Sequence, residues 1–203
     1  MMPRKISVAM MAALCAGLLS GCSSFLPTGE DGKTAPQRFS LGMTAQDIPA
    51  TITAAIRVED FDSPAELALD RIVVRRGLQE VLYAKGARWT DKPSRLMRSL
   101  ISDYLKAASQ SIVASPTQID VPIVYRLSGR LSAFQVQVDG APSATVRVEA
   151  LLNNTHSRVP VARIFTAEAA ATSDSPAAMA AAINVASNQV AADVTRWMIE
   201  NAK

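Results

Sequence analysis

Between Ile123 and Leu152 the chain alternates between apolar and polar residues. Ile123, Tyr125, Leu127 and Leu131 take odd positions, and Phe134, Val136 and Val138 take even ones. A period of two marks a strand with one buried face, because successive side chains point to opposite sides of the pleat. An unbroken strand would turn one of the two apolar sets to water, so the change of phase near Ser132 predicts a β-bulge or kink. Asp139-Gly140 then signals a hairpin. Val146, Val148, Ala150 and Leu152 keep step along the return strand, Asn153 to Ser157 makes a second turn, and Val161 to Ala170 reads as a third strand. Consecutive strands joined by short turns predict an antiparallel meander.

Two stretches run at the helical period. Leu96, Met97, Leu100, Ile101, Tyr104, Leu105 and Ala108 fall three or four apart and define an amphipathic helix over about 93–109, capped by Thr90 or Asp91, with Pro93 in its first turn. Ser175-Pro176 opens a second helix, about 176–200, in which Met179, Ile183, Ala186, Val190, Val194 and Trp197 share a face. Gln189, Asp193 and Arg196 keep it from being a membrane span, and its opposite face lacks the Lys/Arg enrichment of an interfacial helix. Upstream, Arg38–Leu41, Ala54–Glu59, Asp70–Arg76 and Gln79–Ala84 read as short strands, the last two around Gly77. Asp60 to Glu66 is a turn holding Pro64. Together these elements predict an α+β domain over residues 38–203, an antiparallel sheet with two main helices packed on it.

The N-terminal pattern belongs to a different kind of segment. Arg4 and Lys5 precede a mostly apolar run from Ile6 to Leu19, and Ser20 and Gly21 lead to Cys22. The run is shorter than the roughly 18 to 20 apolar residues a spanning helix needs, and its flanks are those of an export signal. Leu19-Ser20-Gly21-Cys22 resembles a bacterial lipobox, which implies a signal peptide over 1–21 and an acylated Cys22 as the mature N-terminus. Ordinary signal cleavage nearby, or a hydrophobic N-terminal helix on a cytosolic protein, are the two alternatives. Ser23 following the cysteine is the residue type that, in lipoproteins, permits transfer to the outer membrane. From Ser23 to Gln37 the sequence is rich in Ser, Gly, Pro and charge, so 22–37 reads as a lipidated flexible tether with a root-mean-square reach of about 20 Å.

Charge and cysteine content follow from that cut. Removing Arg4 and Lys5 from 21 basic residues leaves 19 against 18 acidic ones, a net charge near +1. Without a basic stripe interleaved with aromatics, nucleic acid is not an expected partner. Cys15 lies in the apolar run, so a mature chain keeps Cys22 alone and has no disulfide.

Catalytic chemistry has few residues to use. His156 is the sole histidine and sits among Asn153, Asn154, Thr155 and Ser157, a turn composition. Any Ser-His-Asp relay, histidine metal site or histidine base would have to use it. Glu59, Asp60 and Asp62 are close in sequence but lack the ligand spacing of a calcium loop, and no phosphate-binding glycine pattern is present. Trp89, Trp197, Tyr83 and Tyr125 each belong to an apolar pattern and are assigned to packing ahead of recognition. The expectation is a protein that is not an enzyme, with no catalytic residues, no metal and no cofactor.

The order of features resembles a family. A lipobox at Cys22 is followed by "AIRVEDF" at 55–61, "RIVVR" at 71–75, "LYAKGARWTDKPSRLMRSLISDYL" at 82–105, "YRLSGRLSAFQVQVDG" at 125–140 and "VARIF" at 161–165. These are similar to the ABC-type transport auxiliary lipoproteins, the family of the PqiC-like subunits of membrane-integrity transport systems. Family members often carry a second aromatic beside the position of Tyr83, where this chain has Leu82 and Ala84. The resemblance implies a lipid-anchored periplasmic domain at the outer membrane. It also implies partnership with an MCE-type substrate-binding protein and an inner-membrane ABC permease and ATPase that move lipid across the envelope, and in some members a homo-oligomeric ring. A structural lipoprotein of secretion or cell-wall machinery, or a lipid-carrying module, would share the anchor and the fold.

Overall fold

In the computed structural model the described residues are 35–46, 48, 52–109, 112–118, 120–157 and 159–202. The lipobox, Cys22 and most of the tether lie outside them.

The meander forms as its pattern predicts. β7 (Tyr125–Gln137), β8 (Ser143–Asn154) and β9 (Val161–Ala170) are consecutive antiparallel neighbours. The register of β7 against β8 shifts between Leu131 and Ala133, so Tyr125, Leu127 and Leu131 before the bulge and Phe134 and Val136 after it all face the core. Gly140 takes the turn between the two strands with φ +101°. Gly129 serves a close approach: at φ +147°, a β-carbon there would stand 1.9 Å from the Glu149 carbonyl oxygen across the ladder.

The far edge of β7 corrects the expectation of an antiparallel sheet. β2 (Ile56–Val58) pairs parallel with the first part of β7, matching Ile56 with Tyr125 and Val58 with Leu127. Asp62 continues this edge, donating its N–H to the Gly129 carbonyl and accepting from Leu131 N–H. Past the bulge β3 (Val73–Arg76) takes over, also parallel, with Val73 opposite Gln135. The sheet is mixed. Short turns specify antiparallel neighbours, whereas parallel ones are reached by long connections that leave no local mark. The chain from 59 to 124, including a helix, separates β2 from β7. β4 (Glu80–Tyr83) closes an antiparallel hairpin with β3 around Gly77, and β6 (Val113–Ala114) flanks β2. A separate parallel pair joins β1 (Gln37–Phe39) to β5 (Ala87–Trp89). These strands are shorter than their apolar patterns suggested, and β5 and β6 carry no pattern that announced them.

α2 (Pro176–Asn201) packs on β8 and β9, and α1 (Pro93–Ala108) packs against α2, β2 and β6. α1 buries the whole predicted stripe. Its cap is Lys92, with no side-chain hydrogen bond, rather than Thr90 or Asp91. Pro93 at the first helical position forces its predecessor into an extended conformation, which puts the boundary at Lys92 and leaves Asp91 one residue too early. Asp91 instead accepts from the Lys92 N–H at 2.7 Å and stands 3.7 Å from Arg95. α2 (Pro176–Asn201) starts where expected, with the Ser175 hydroxyl accepting from Ala178 N–H. It buries more than one stripe: Ala182, Ser187, Asn188, Ala191, Thr195 and Met198 are covered together with the predicted face, because the helix packs on β8 and β9 and also against α1. No helix among the described residues is long and apolar enough to cross a membrane.

Candidate functional surface

The residues singled out for chemistry are dispersed. His156 is exposed in the turn after β8, with its own N–H bonded to Asn154 Oδ1 at 2.9 Å. Glu59 pairs with Arg126 at 2.9 Å, Asp60 stands 3.1 Å from Arg98 Nε, and Asp62 is held by its backbone against β7. The three acids spread along one extended segment and answer to different partners, so they do not converge on a cation. Among the described residues no three His, Cys, Asp or Glu side chains gather closely enough to ligate a metal.

The aromatics pack. Trp89 is fully buried, edge-on to Phe134 at a centroid distance of 5.2 Å, and Trp197 meets Phe165 in the same way at 5.5 Å. Tyr125 is buried, and half-buried Tyr83 carries the Arg71 guanidinium 4.6 Å above its ring.

A polar clamp across the two helices escaped the sequence reading. The Tyr104 hydroxyl of α1 lies 2.9 Å from the Thr44 carbonyl and 2.8 Å from Asn188 Oδ1 of α2, two acceptors for its single proton. Asn188 Oδ1 also accepts from Thr44 N–H at 2.7 Å, while Asn188 Nδ2 donates to the Gly42 and Asn184 carbonyls. Asn184 Oδ1 accepts from Gly42 N–H. The segment from Gly42 to Thr44, which forms no strand, thus has the backbone N–H and C=O groups of Gly42 and Thr44 held by side chains of the two helices. Burial pushes the Tyr104 phenol above its ordinary value, against the lowering effects of its hydrogen bond to the Thr44 backbone and the charge of Arg196. The signal available in the sequence was a tyrosine in a core stripe, whose hydroxyl must find a partner. Beside the clamp, Met43, Ala45, Gln46, Ile48, Ala107 and Ala108 line an open groove of about 360 Å³.

The sheet edges differ from one another. β4 and β6, at the outer positions beyond β7, have four and two residues. β9 is a ten-residue edge paired only with β8, and Val159, Val161 and Ile164 are exposed along its start. Between β9 and the C-terminal half of α2 runs a cleft of about 390 Å³ lined by Arg163, Ile164, Phe165, Asp193, Arg196 and Trp197, together with Thr166 and Glu200.

Comparison with known proteins places this architecture. The family described as the ABC-type transport auxiliary lipoprotein component matches residues 39–195, nearly all of the described chain. The chain belongs to this family. As a member of the auxiliary component family it is associated with an ABC-type transport system, and the family's lipoprotein character accords with membrane association. A crystal structure of a DUF330 protein from Xanthomonas campestris superposes with a TM-score of 0.73 at 19% identity, covering 81% of this chain and 95% of that one. A second, of an uncharacterized protein, gives 0.65 at 18% identity over 81% and 99%. A hypothetical protein from Chlamydia trachomatis gives 0.52 at 9% identity over 74% and 98%. At these identities the likeness is one of fold. No curated protein matches the auxiliary component chain.

Proposed function

We propose that the protein is a non-enzymatic lipoprotein held by acylated Cys22 at the periplasmic face of the outer membrane. In this reading it is the auxiliary subunit of an MCE-type ABC transporter that moves lipids across the envelope. The observation that carries the proposal is the family match over 39–195. Two others support it: the lipobox-like Leu19-Ser20-Gly21-Cys22 ahead of a polar tether, and the dispersal of His156, Glu59, Asp60 and Asp62 onto separate contacts. A domain tethered this way supplies surfaces and leaves the chemistry of ATP hydrolysis to its partners.

The test is in-cell crosslinking of the tagged, acylated protein in its native host, followed by mass spectrometry of what co-purifies. The expected result is an MCE-type substrate-binding protein together with its permease or ATPase. Recovery of secretion or cell-wall components alone would move the function to envelope assembly and overturn the transport reading. Loss of an activity on changing His156 would overturn the non-enzymatic one.

A further inference from the structure

Natural sheets protect their edges, because a row of unpaired N–H and C=O groups is a template for another strand. Brevity protects the edges at β4 and β6. β9 lacks most of the usual devices: it is ten residues long, holds an unbroken ten-pair register with β8, and contains neither Pro nor Lys, its charged residues being Arg163 and Glu168 alone. Alternate residues of β9 therefore turn their backbone groups away from β8 and toward solvent. No described segment covers them, and Val161 and Ile164 stand 41% and 54% exposed beside that edge.

The space next to this edge is shaped for side chains. The odd-numbered residues of β9 face α2, where Phe165 packs on Trp197, and the cleft between strand and helix opens over them. A strand added to β9 would send every second side chain into this cleft and the others beside Ile164. The charges are specific. Arg196 is bonded to Asp193 at 2.7 Å, which cancels both, and Glu200 sits on the helix wall. Arg163, on the strand itself, has its guanidinium 5.3 Å from the Phe165 ring centre and no carboxylate within salt-bridge distance among the described residues. The nearest neighbour of an edge residue on an added strand is the residue directly opposite, so Arg163 selects the charge there, and Glu200 lies across the cleft.

We infer that the β9 edge and the β9–α2 cleft form a docking site for an extended segment of a partner polypeptide. The segment adds to β9 as a strand, places apolar side chains over Phe165 and Trp197, and sets an acidic residue against Arg163. A second copy of this chain paired through the same edge is a poorer complement. A two-fold antiparallel pairing of β9 with itself keeps the same face on the same side, and Arg163 and Glu168 point to opposite faces, so they cannot meet. The inference rests on the geometry of the edge and does not depend on the transport reading. Its test is likewise separate from the identity of any co-purifying protein.

The experiment uses the full acylated chain in detergent micelles and two labelled synthetic peptides of the length of β9. Both alternate threonine and valine; one has a central aspartate and the other a central lysine. Binding is read by fluorescence anisotropy and located by amide hydrogen exchange. The expected result is slowed exchange confined to β9 and its immediate neighbours, with the aspartate peptide bound roughly fivefold more tightly than the lysine one. Arg163→Glu should reverse that order, and Ile164→Lys should weaken both peptides. Both side chains are exposed, so the variants retain the native circular dichroism spectrum. Absence of peptide binding, protection elsewhere, or equal binding of both peptides would overturn the inference. So would β9 amides already protected in the free protein in proportion to its concentration, which would assign the edge to a second copy.

Discussion

At the scale of single residues, the most informative side chain is Tyr104, because it must satisfy a core and a hydrogen-bond network together. Its folded-state pKa is raised by burial, so the native state holds the phenolic proton more tightly than the unfolded chain does. The stabilisation is whole below the unfolded value of about 10 and is lost as pH rises through the folded value. The denaturation midpoint should therefore fall from about pH 8 to about pH 11 more steeply in the native protein than in Tyr104→Phe. At neutral pH that variant should lose about 1 kcal/mol, since Asn188 Oδ1 keeps the Thr44 N–H as a donor. Equal slopes in the two proteins would show that the phenol does not titrate against folding. Trp197→Ala removes a buried ring and its edge-on contact with Phe165, and should cost about 3 to 5 kcal/mol in urea denaturation. An unchanged midpoint would contradict its burial. Both tyrosine and tryptophan were legible as members of helical stripes. The clamp was not, because Thr44 lies 60 residues from Tyr104 and 144 from Asn188, and nothing in a one-dimensional pattern reports which polar groups meet.

At the scale of elements, the legible features were those fixed by neighbouring residues. The bulge at Ser132, the turns after β7 and β8, the span of α1 and the start of α2 each follow from period or turn chemistry within a few positions. Apart from the α1 cap at Lys92, which Pro93 sets locally, the features that were missed depend on distant pairing: the parallel docking of β2 and β3 onto β7, and the two-residue and three-residue strands β6 and β5. β7 shows how the two kinds interact, because the bulge that corrects its apolar phase also falls where its edge partner passes from Asp62 to β3. Gly129 lies in the same stretch. Gly129→Ala would drive a methyl group into the Glu149 carbonyl and hold the new side chain at positive φ, so β7 and β8 must separate. A destabilisation on the order of 3 kcal/mol is expected, with faster amide exchange along both strands. A stability equal to that of the parent would mean that the strands relax without cost. The helix starts give a paired contrast. Ser175→Ala should lose about 1 kcal/mol, since its hydroxyl receives the Ala178 N–H, whereas Asp91→Ala removes no cap bond and should change stability by less than half as much.

At the scale of the whole molecule, the proposed anchor and the domain divide the work. The domain has a sheet covered by helices on one face, a clamp that pins residues 42–44 across both helices, and β1 paired parallel with β5 directly after the expected tether. β1 begins at Gln37, the last residue assigned to that tether, so a pull on the chain from the N-terminal side meets the β1–β5 pair first and the Asn184–Asn188–Tyr104 clamp next. The fold can therefore bear the proposed attachment at its N-terminal end, for which the lipobox-like Leu19-Ser20-Gly21-Cys22 is the candidate. Two or more acyl chains on one residue bind a bilayer in a way a single chain does not, since each buried CH₂ contributes about 0.8 kcal/mol. In the proposed lipoprotein, Cys22→Ser deletes the thioether and leaves the domain, its core and its edges intact. The variant should label with no radioactive palmitate and leave the membrane fraction, while its thermal unfolding matches that of the parent in detergent. If it still pellets with membranes after a high-salt wash, the attachment does not run through Cys22, and the described domain must hold the bilayer or a membrane-bound partner by its own surface.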